Sequence, residues 1–104
     1  MNTGLSATDL AIIKTAIGSF AGVESATLFG SRAKGNYKTG SDIDIAIKLK
    51  QATTDTLAPN PISLIHDKLE EETPLPYFFD VINYHTIKNQ ALIEHIDRVG
   101  VKIL

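Results

Sequence analysis

The stretch that decides the fold is Leu28-Phe29-Gly30-Ser31, followed after ten residues by Asp42-Ile43-Asp44. Side chains alternate across an extended strand, so Asp42 and Asp44 share one face with Cα atoms about 7 Å apart. Ile43, Ile45, Ile47 and Leu49 take the other face and anchor the strand on a core. Two like charges on one face repel unless something offsets them. A hard divalent cation such as Mg²⁺ prefers oxygen ligands and keeps positions open for substrate phosphates. The pair therefore predicts metal binding. Upstream, a strand running into Gly30-Ser31 turns backbone N–H groups toward an anion: glycine allows close approach, Ser31 adds a hydroxyl, and a short helix starting here adds its positive end. The turn matches neither the phosphate-loop ATPase signature nor the dinucleotide-binding glycine pattern. Turn and carboxylates together predict a chain that handles a nucleoside triphosphate.

The remaining composition limits the alternatives. A length of 104 residues suits one compact domain spanning 1–104, with roughly two thirds of its unfolded surface buried. Hydrophobic residues make up 43% and charged residues 21%, as in ordinary soluble proteins. Neither a long apolar run nor a signal peptide is evident, so the expected compartment is the cytoplasm, with no membrane role. The absence of cysteine excludes disulfides, thiolate metal sites and a cysteine nucleophile. The net charge of −2 is unevenly spread. Segment 30–50 holds Arg32, Lys34, Lys38, Lys48 and Lys50 against Asp42 and Asp44, whereas 51–104 has twice as many acidic as basic residues. This pattern fits either a metal-bound polyphosphate or a solvated lysine loop. It lacks the broad basic face with stacking aromatics of a direct nucleic-acid binder.

Periodicity and end signals predict the elements around the motif. Ser6 to Phe20 reads as an amphipathic helix with Leu10, Ile13, Ile17 and Phe20 inward, Ser6 and Asp9 capping, Leu5 stapling, and Gly22 at its end. A strand runs from about Glu24 to Phe29, then a short helix or loop to Asn36, then a strand over Asp42 to Leu49. Lys50 to Pro59 is polar and reads as a surface connection. Asn60-Pro61 opens a helix to Glu71 with Ile62, Ile65 and Leu69 inward; Glu70, Glu71 and Glu72 at its negative end have no evident role. Tyr77 to Tyr84 reads as a third strand. A helix follows from about Ile87, carries Leu92, Ile96 and Val99 inward and stops at Gly100, and Val101 to Leu104 reads as a short strand.

Asp80 stands among Phe78, Phe79, Val81 and Ile82, where an isolated charge costs several kcal/mol unless paired, solvated or metal-bound. If its strand lies beside that of Asp42, three carboxylates can span two cations about 3.5–4 Å apart. Arg32 and Lys34 read either as triphosphate ligands or as solvated loop charges. His66, His85 and His95 lack metal-ligand spacing and a partnered nucleophile, and read as surface or packing residues. Tyr77, Phe78, Phe79 and Tyr84 read as core and strand surface, and Tyr37 as an exposed loop tyrosine.

Gly30-Ser31, the ten-residue spacing, Asp42-x-Asp44 and the later Asp80 resemble the DNA polymerase β-like nucleotidyltransferases. The segment LFGSRAKGNYKTGSDIDIAI, the small size and the ending around Arg98-Val99-Gly100 are similar to the minimal nucleotidyltransferases. Lys34 replaces the usual second arginine and so lacks its bidentate fork. The resemblance implies an α+β palm-like fold: a mixed, mostly antiparallel sheet with helices packed on one face. It also implies metal-dependent transfer of AMP from ATP with two Mg²⁺ ions. Asp42 and Asp44 would serve both metals, and Asp80 the metal beside the nucleophile and its deprotonation. Gly30 and Ser31 would hold the β and γ phosphates, with Arg32 also on the nucleotide. Ser41 would touch phosphate or make a structural hydrogen bond at the strand entrance. In the family, such chains are antitoxins paired with HEPN-domain RNase toxins, and members transfer AMP to a toxin tyrosine. The resemblance therefore implies a HEPN toxin partner. Two other readings are an antibiotic-type small-molecule adenylyltransferase completed by a partner chain, and an antitoxin that acts by binding alone.

Overall fold

The structure is a computed structural model that describes residues 3–38, 40–50 and 60–104. Its frame is a four-stranded sheet built from β1 (Val23–Phe29), β2 (Ile43–Leu49), β3 (Phe79–Asn83) and β4 (Val101–Lys102), in the order β3-β2-β1-β4. β1 pairs antiparallel with both β2 and β4, while β2 and β3 run parallel. The sheet is therefore mixed and mostly antiparallel, as expected.

Local signals account for the helices. In α1 (Ala7–Gly18), the Ser6 hydroxyl accepts from the Asp9 N–H at 3.0 Å and the Asp9 carboxylate accepts from the Ser6 N–H at 3.4 Å. This capping box satisfies two of the end's orphan donors. The helix stops at Gly18 rather than running to Phe20: the Ser19 hydroxyl donates to the Ala16 carbonyl at 2.7 Å, and the Phe20 N–H donates to the Ile17 carbonyl, three residues back, at 3.1 Å. Gly30–Lys34 forms the one-turn α2. In α3 (Pro61–Glu71), the Asn60 side chain accepts from the Ile62 N–H at 2.9 Å and Pro61 occupies the first turn. The last helix, α4 (Gln90–Val99), starts later than the apolar spacing predicts. Asn83 caps a 3₁₀ turn over Tyr84–Thr86, and Asn89 then caps α4 by accepting from the Leu92 N–H. The expected surface connection to Pro59 lies, beyond Lys50, outside the described residues.

Period-two alternation divides the sheet into two faces. Ala26, Leu28, Ile43, Ile45, Ile47 and Phe79 join Ile13, Ile17, Ile65 and Leu69 in the main core beneath α1 and α3. Full burial of each such isoleucine stabilises by about 1.5–3 kcal/mol. The opposite face carries a smaller cluster of Phe29, Ala46 and Ile96, with Ile82, Tyr84 and Leu92 against it. Here the structure departs from the expectation of helices on one face. Phe29, Ala46 and Ile82 give the second face an apolar patch of its own, and α4 covers it through Ile96. Among the described residues, no helix is long and apolar enough to cross a membrane.

Candidate active site

The second face also carries the acidic residues. Asp44 is the register partner of Asp80 on the neighbouring parallel strand, a spacing of about 4.8 Å between strands. β3 thus lies beside β2, which was the condition for Asp80 to join the pair. Asp42 immediately precedes β2 and is exposed, as is Asp80, whereas Asp44 is half-buried. On its other side Asp44 faces Phe29 of β1, so the Gly30 turn begins directly beside it.

This crowding has an electrostatic cost. The Asp44 carboxyl is pushed up from 3.8 to about 6, first by burial, then by the charge of Asp80, then by that of Asp42. Because the folded value exceeds the unfolded one, ionising Asp44 costs stability. The cost is absent below about pH 3.8, grows as pH rises through about 6 and is complete above that. Solvent reaches much of the group, and screening reduces the cost to roughly 1 kcal/mol. Asp44→Asn should therefore stabilise the ligand-free protein by ~1 kcal/mol at about pH 8 and leave it unchanged at about pH 3.5. Urea unfolding at both pH values checks this, and equal shifts at both would contradict it.

Gly30 shows why this turn needs glycine. Its φ is +75°, in the left-handed region, and a Cβ here would run into the Asp44 Oδ2 atom. Backbone and carboxylate therefore lie against each other. The Gly30 N–H donates to Nε2 of His95 on α4 at 3.0 Å. That contact joins residues 65 apart in sequence and was not visible in the helical spacing of α4.

Two other expected residues, Arg32 and Ser41, make hydrogen bonds within the protein. Arg32 is 3% exposed. It donates through Nε and Nη2 to the Ser41 carbonyl at 3.2 and 2.9 Å, and through Nη1 to the Thr3 carbonyl at 2.9 Å. The rings of Tyr37 and Tyr77 stand 5.2 and 5.0 Å from its guanidinium carbon. Arg32 is thus a buried brace, with its Nε–Nη2 edge on the Ser41 carbonyl and Nη1 on that of Thr3. Tyr37 is correspondingly half-buried rather than exposed. The brace holds the peptide immediately before Asp42, which makes Arg32 a positioning residue for the carboxylates. The Ser41 hydroxyl accepts from the Lys38 N–H at 2.7 Å, the structural hydrogen bond at the strand entrance. Arg32→Met should cost about 2–3 kcal/mol of stability, with Arg32→Lys restoring only part, since an ammonium cannot reproduce the fork. Thermal unfolding of both variants measures this; full restoration by lysine would contradict it.

Among the described residues, no three acidic or histidine side chains gather closely enough to hold an ion by themselves. The donor chemistry nevertheless suits Mg²⁺, which takes one or two carboxylates and completes its shell with phosphate oxygens and water. An elevated Asp44 flanked by two carboxylates is a site that gains from added positive charge.

The sequence matches the polymerase beta, nucleotidyltransferase family over residues 9–104. No curated protein matches it significantly. Among solved structures, a chain of a toxin–antitoxin crystal structure with AMP-PNP superposes with a TM-score of 0.67 at 22% identity, covering 100% of this chain and 73% of that one. A chain of the toxin–antitoxin MntA–HepT has a TM-score of 0.60 at 21% identity, covering 90% and 67%. A chain from the tri-AMPylated Shewanella oneidensis HEPN toxin in complex with MNT antitoxin has a TM-score of 0.60 at 18% identity, covering 91% and 71%. At these identities the likeness establishes the fold, and the family match covers nearly the whole sequence: the chain belongs to the polymerase beta nucleotidyltransferase family.

Proposed function

We propose that this chain is a minimal nucleotidyltransferase antitoxin that transfers AMP from ATP to a tyrosine of a cognate HEPN RNase toxin and thereby silences it. The observation that carries the reading is the grouping of Asp42, Asp44 and Asp80 at one end of β2 and β3, beside the Gly30 turn. Neighbours of the same fold include a complex containing AMP-PNP and one whose HEPN toxin is tri-AMPylated, which supports ATP as donor and a toxin as acceptor.

In the proposed reaction the tyrosine oxygen attacks the α-phosphorus, a P–O bond forms to the tyrosine, and the bond to the β-phosphate breaks to release pyrophosphate. Asp42 and Asp44 would hold Mg²⁺ against the triphosphate, with Asp80 on the acceptor side. When bound, the ions would offset phosphate charge and favour ionisation of the attacking hydroxyl. Asp80, exposed on the edge strand, would take the phenolic proton. Ser31 would steady the distal phosphates. A covalent adenylate adds charge and bulk where an RNA phosphate would bind the toxin, which accounts for its inactivation.

The test is to purify the chain with its partner, add Mg²⁺ and each labelled nucleoside triphosphate in turn, and map the modified residue by mass spectrometry. Label from ATP on a partner tyrosine is the expected result. Label on an added small molecule, or on nothing, would overturn the proposal.

A further inference from the structure

Among the described residues, His95 is the one histidine tied to the Gly30 turn, and the contact is specific. Gly30 is the first residue of α2, where an N–H has no acceptor within its own helix. His95 Nε2 supplies that acceptor at 3.0 Å. For Nε2 to accept, the ring proton must sit on Nδ1, so the contact needs the neutral imidazole in one tautomer. The ring is held in place from two sides. It meets Phe29 edge-on, with centroids 6.2 Å apart and planes at 80°. The next residue, Ile96, is buried 97% in the cluster with Phe29 and Ala46, given its 3% exposure. α4 therefore presents a fixed acceptor to a backbone that is already constrained by its left-handed φ and by Asp44 against its Cα.

We infer that His95 is a positioning residue for nucleotide binding: it holds the Gly30 N–H and so orients Ser31, the next residue of the turn, toward the triphosphate. This rests on the nucleotidyltransferase reading of the site. It also divides the turn's donors. The Gly30 N–H is spent on the protein, and the turn's contacts to phosphate come from the Ser31 N–H and hydroxyl. α4, which contributes no carboxylate to the site, is thereby linked to it.

The test compares His95→Phe, which keeps an aromatic ring against Phe29 but removes the acceptor, with His95→Gln, whose side-chain oxygen reaches about as far as Nε2. His95→Leu serves as a second acceptor-free variant if the phenylalanine variant does not fold. The expected result is a rise of about tenfold in KM for ATP with kcat little changed in the acceptor-free variant, and recovery of most of the loss in His95→Gln. The Gly30 amide should exchange with solvent about tenfold faster in the acceptor-free variant, with core amides such as Ile45 unaffected. Equal losses in the Phe and Gln variants, or an unchanged Gly30 exchange rate, would overturn the inference. Amide exchange and binding of Mg·ATP to the full chain need no acceptor substrate. They therefore decide the role of His95 even if wild-type protein transfers no AMP, a result that would sink the functional proposal alone.

Discussion

Replacing Asp42 and Asp44 together with asparagine should reduce AMP transfer by at least about 10³-fold while leaving the protein folded. Cation-assisted charge stabilisation contributes several kcal/mol to such reactions, and each 1.4 kcal/mol is a factor of ten in rate. The fold tolerates the change because both side chains lie at the end of the sheet, Asp42 exposed and Asp44 half-buried, and neither belongs to the apolar clusters. At neutral pH the variant should be more stable than the parent, because Asp44 no longer has to ionise beside Asp80. Stability and activity thus move in opposite directions, as at sites where charge is concentrated for function. Steady-state transfer to the partner tyrosine, measured alongside urea unfolding, tests both halves. Loss of activity together with loss of stability would point to a structural role for the pair instead.

The second large effect is expected at Gly30. Gly30→Ala places a methyl group where the Asp44 Oδ2 atom now lies, on a backbone whose φ of +75° disfavours any side chain. The left-handed conformation alone costs about 1–2 kcal/mol, and relieving the collision must displace either the turn or the carboxylate. Stability should fall by roughly 2–4 kcal/mol and transfer by about 10²-fold, since small misplacements of reacting groups are costly. Asp44→Ala in the same chain would remove the colliding carboxylate. The double variant should regain part of the stability lost in Gly30→Ala and none of the activity. If Gly30→Ala retained full transfer, the contact between turn and carboxylate would have no catalytic importance.

These expectations also indicate which parts of the molecule could be read from its residues. β2 was legible because alternating isoleucines and aspartates carry a strict period of two, and the same alternation placed Asp44 and Asp80 on one face once β3 lay alongside. α1 and α3 were legible from their caps, since Ser6, Asp9, Asn60 and Pro61 act within a single turn. The start of α4 was not, because Asn83 and Asn89 offer successive caps and both are used. The face α4 covers depends on Phe29, Ala46 and Ile82 from three strands forming one apolar patch, which no local window contains.

Arg32 and His95 show the same limit at the site. A basic residue in a glycine-containing loop after a phosphate-type turn looks like an anion ligand. Only the fold brings Thr3, Tyr37, Ser41 and Tyr77 around Arg32 and turns its fork inward. His95 sits in an amphipathic helix between Glu94 and Ile96 and gives no signal until α4 is laid against the Gly30 turn. Glu70 likewise acquires a role only in three dimensions: its carboxylate accepts from the Phe79 N–H at 2.8 Å, at the start of the edge strand that carries Asp80.

In the proposed reaction, neutralisation is covalent and depends on the carboxylates. It is tested most directly by producing the HEPN partner together with either the wild-type chain or the Asp42→Asn, Asp44→Asn variant, separating the two proteins under denaturing conditions, refolding the partner and measuring its RNase activity. Partner made with the wild type should stay inactive after separation, while partner made with the variant should be active. Partner that regains full activity after separation from the wild-type chain would show that binding alone silences it, and would rule out covalent neutralisation.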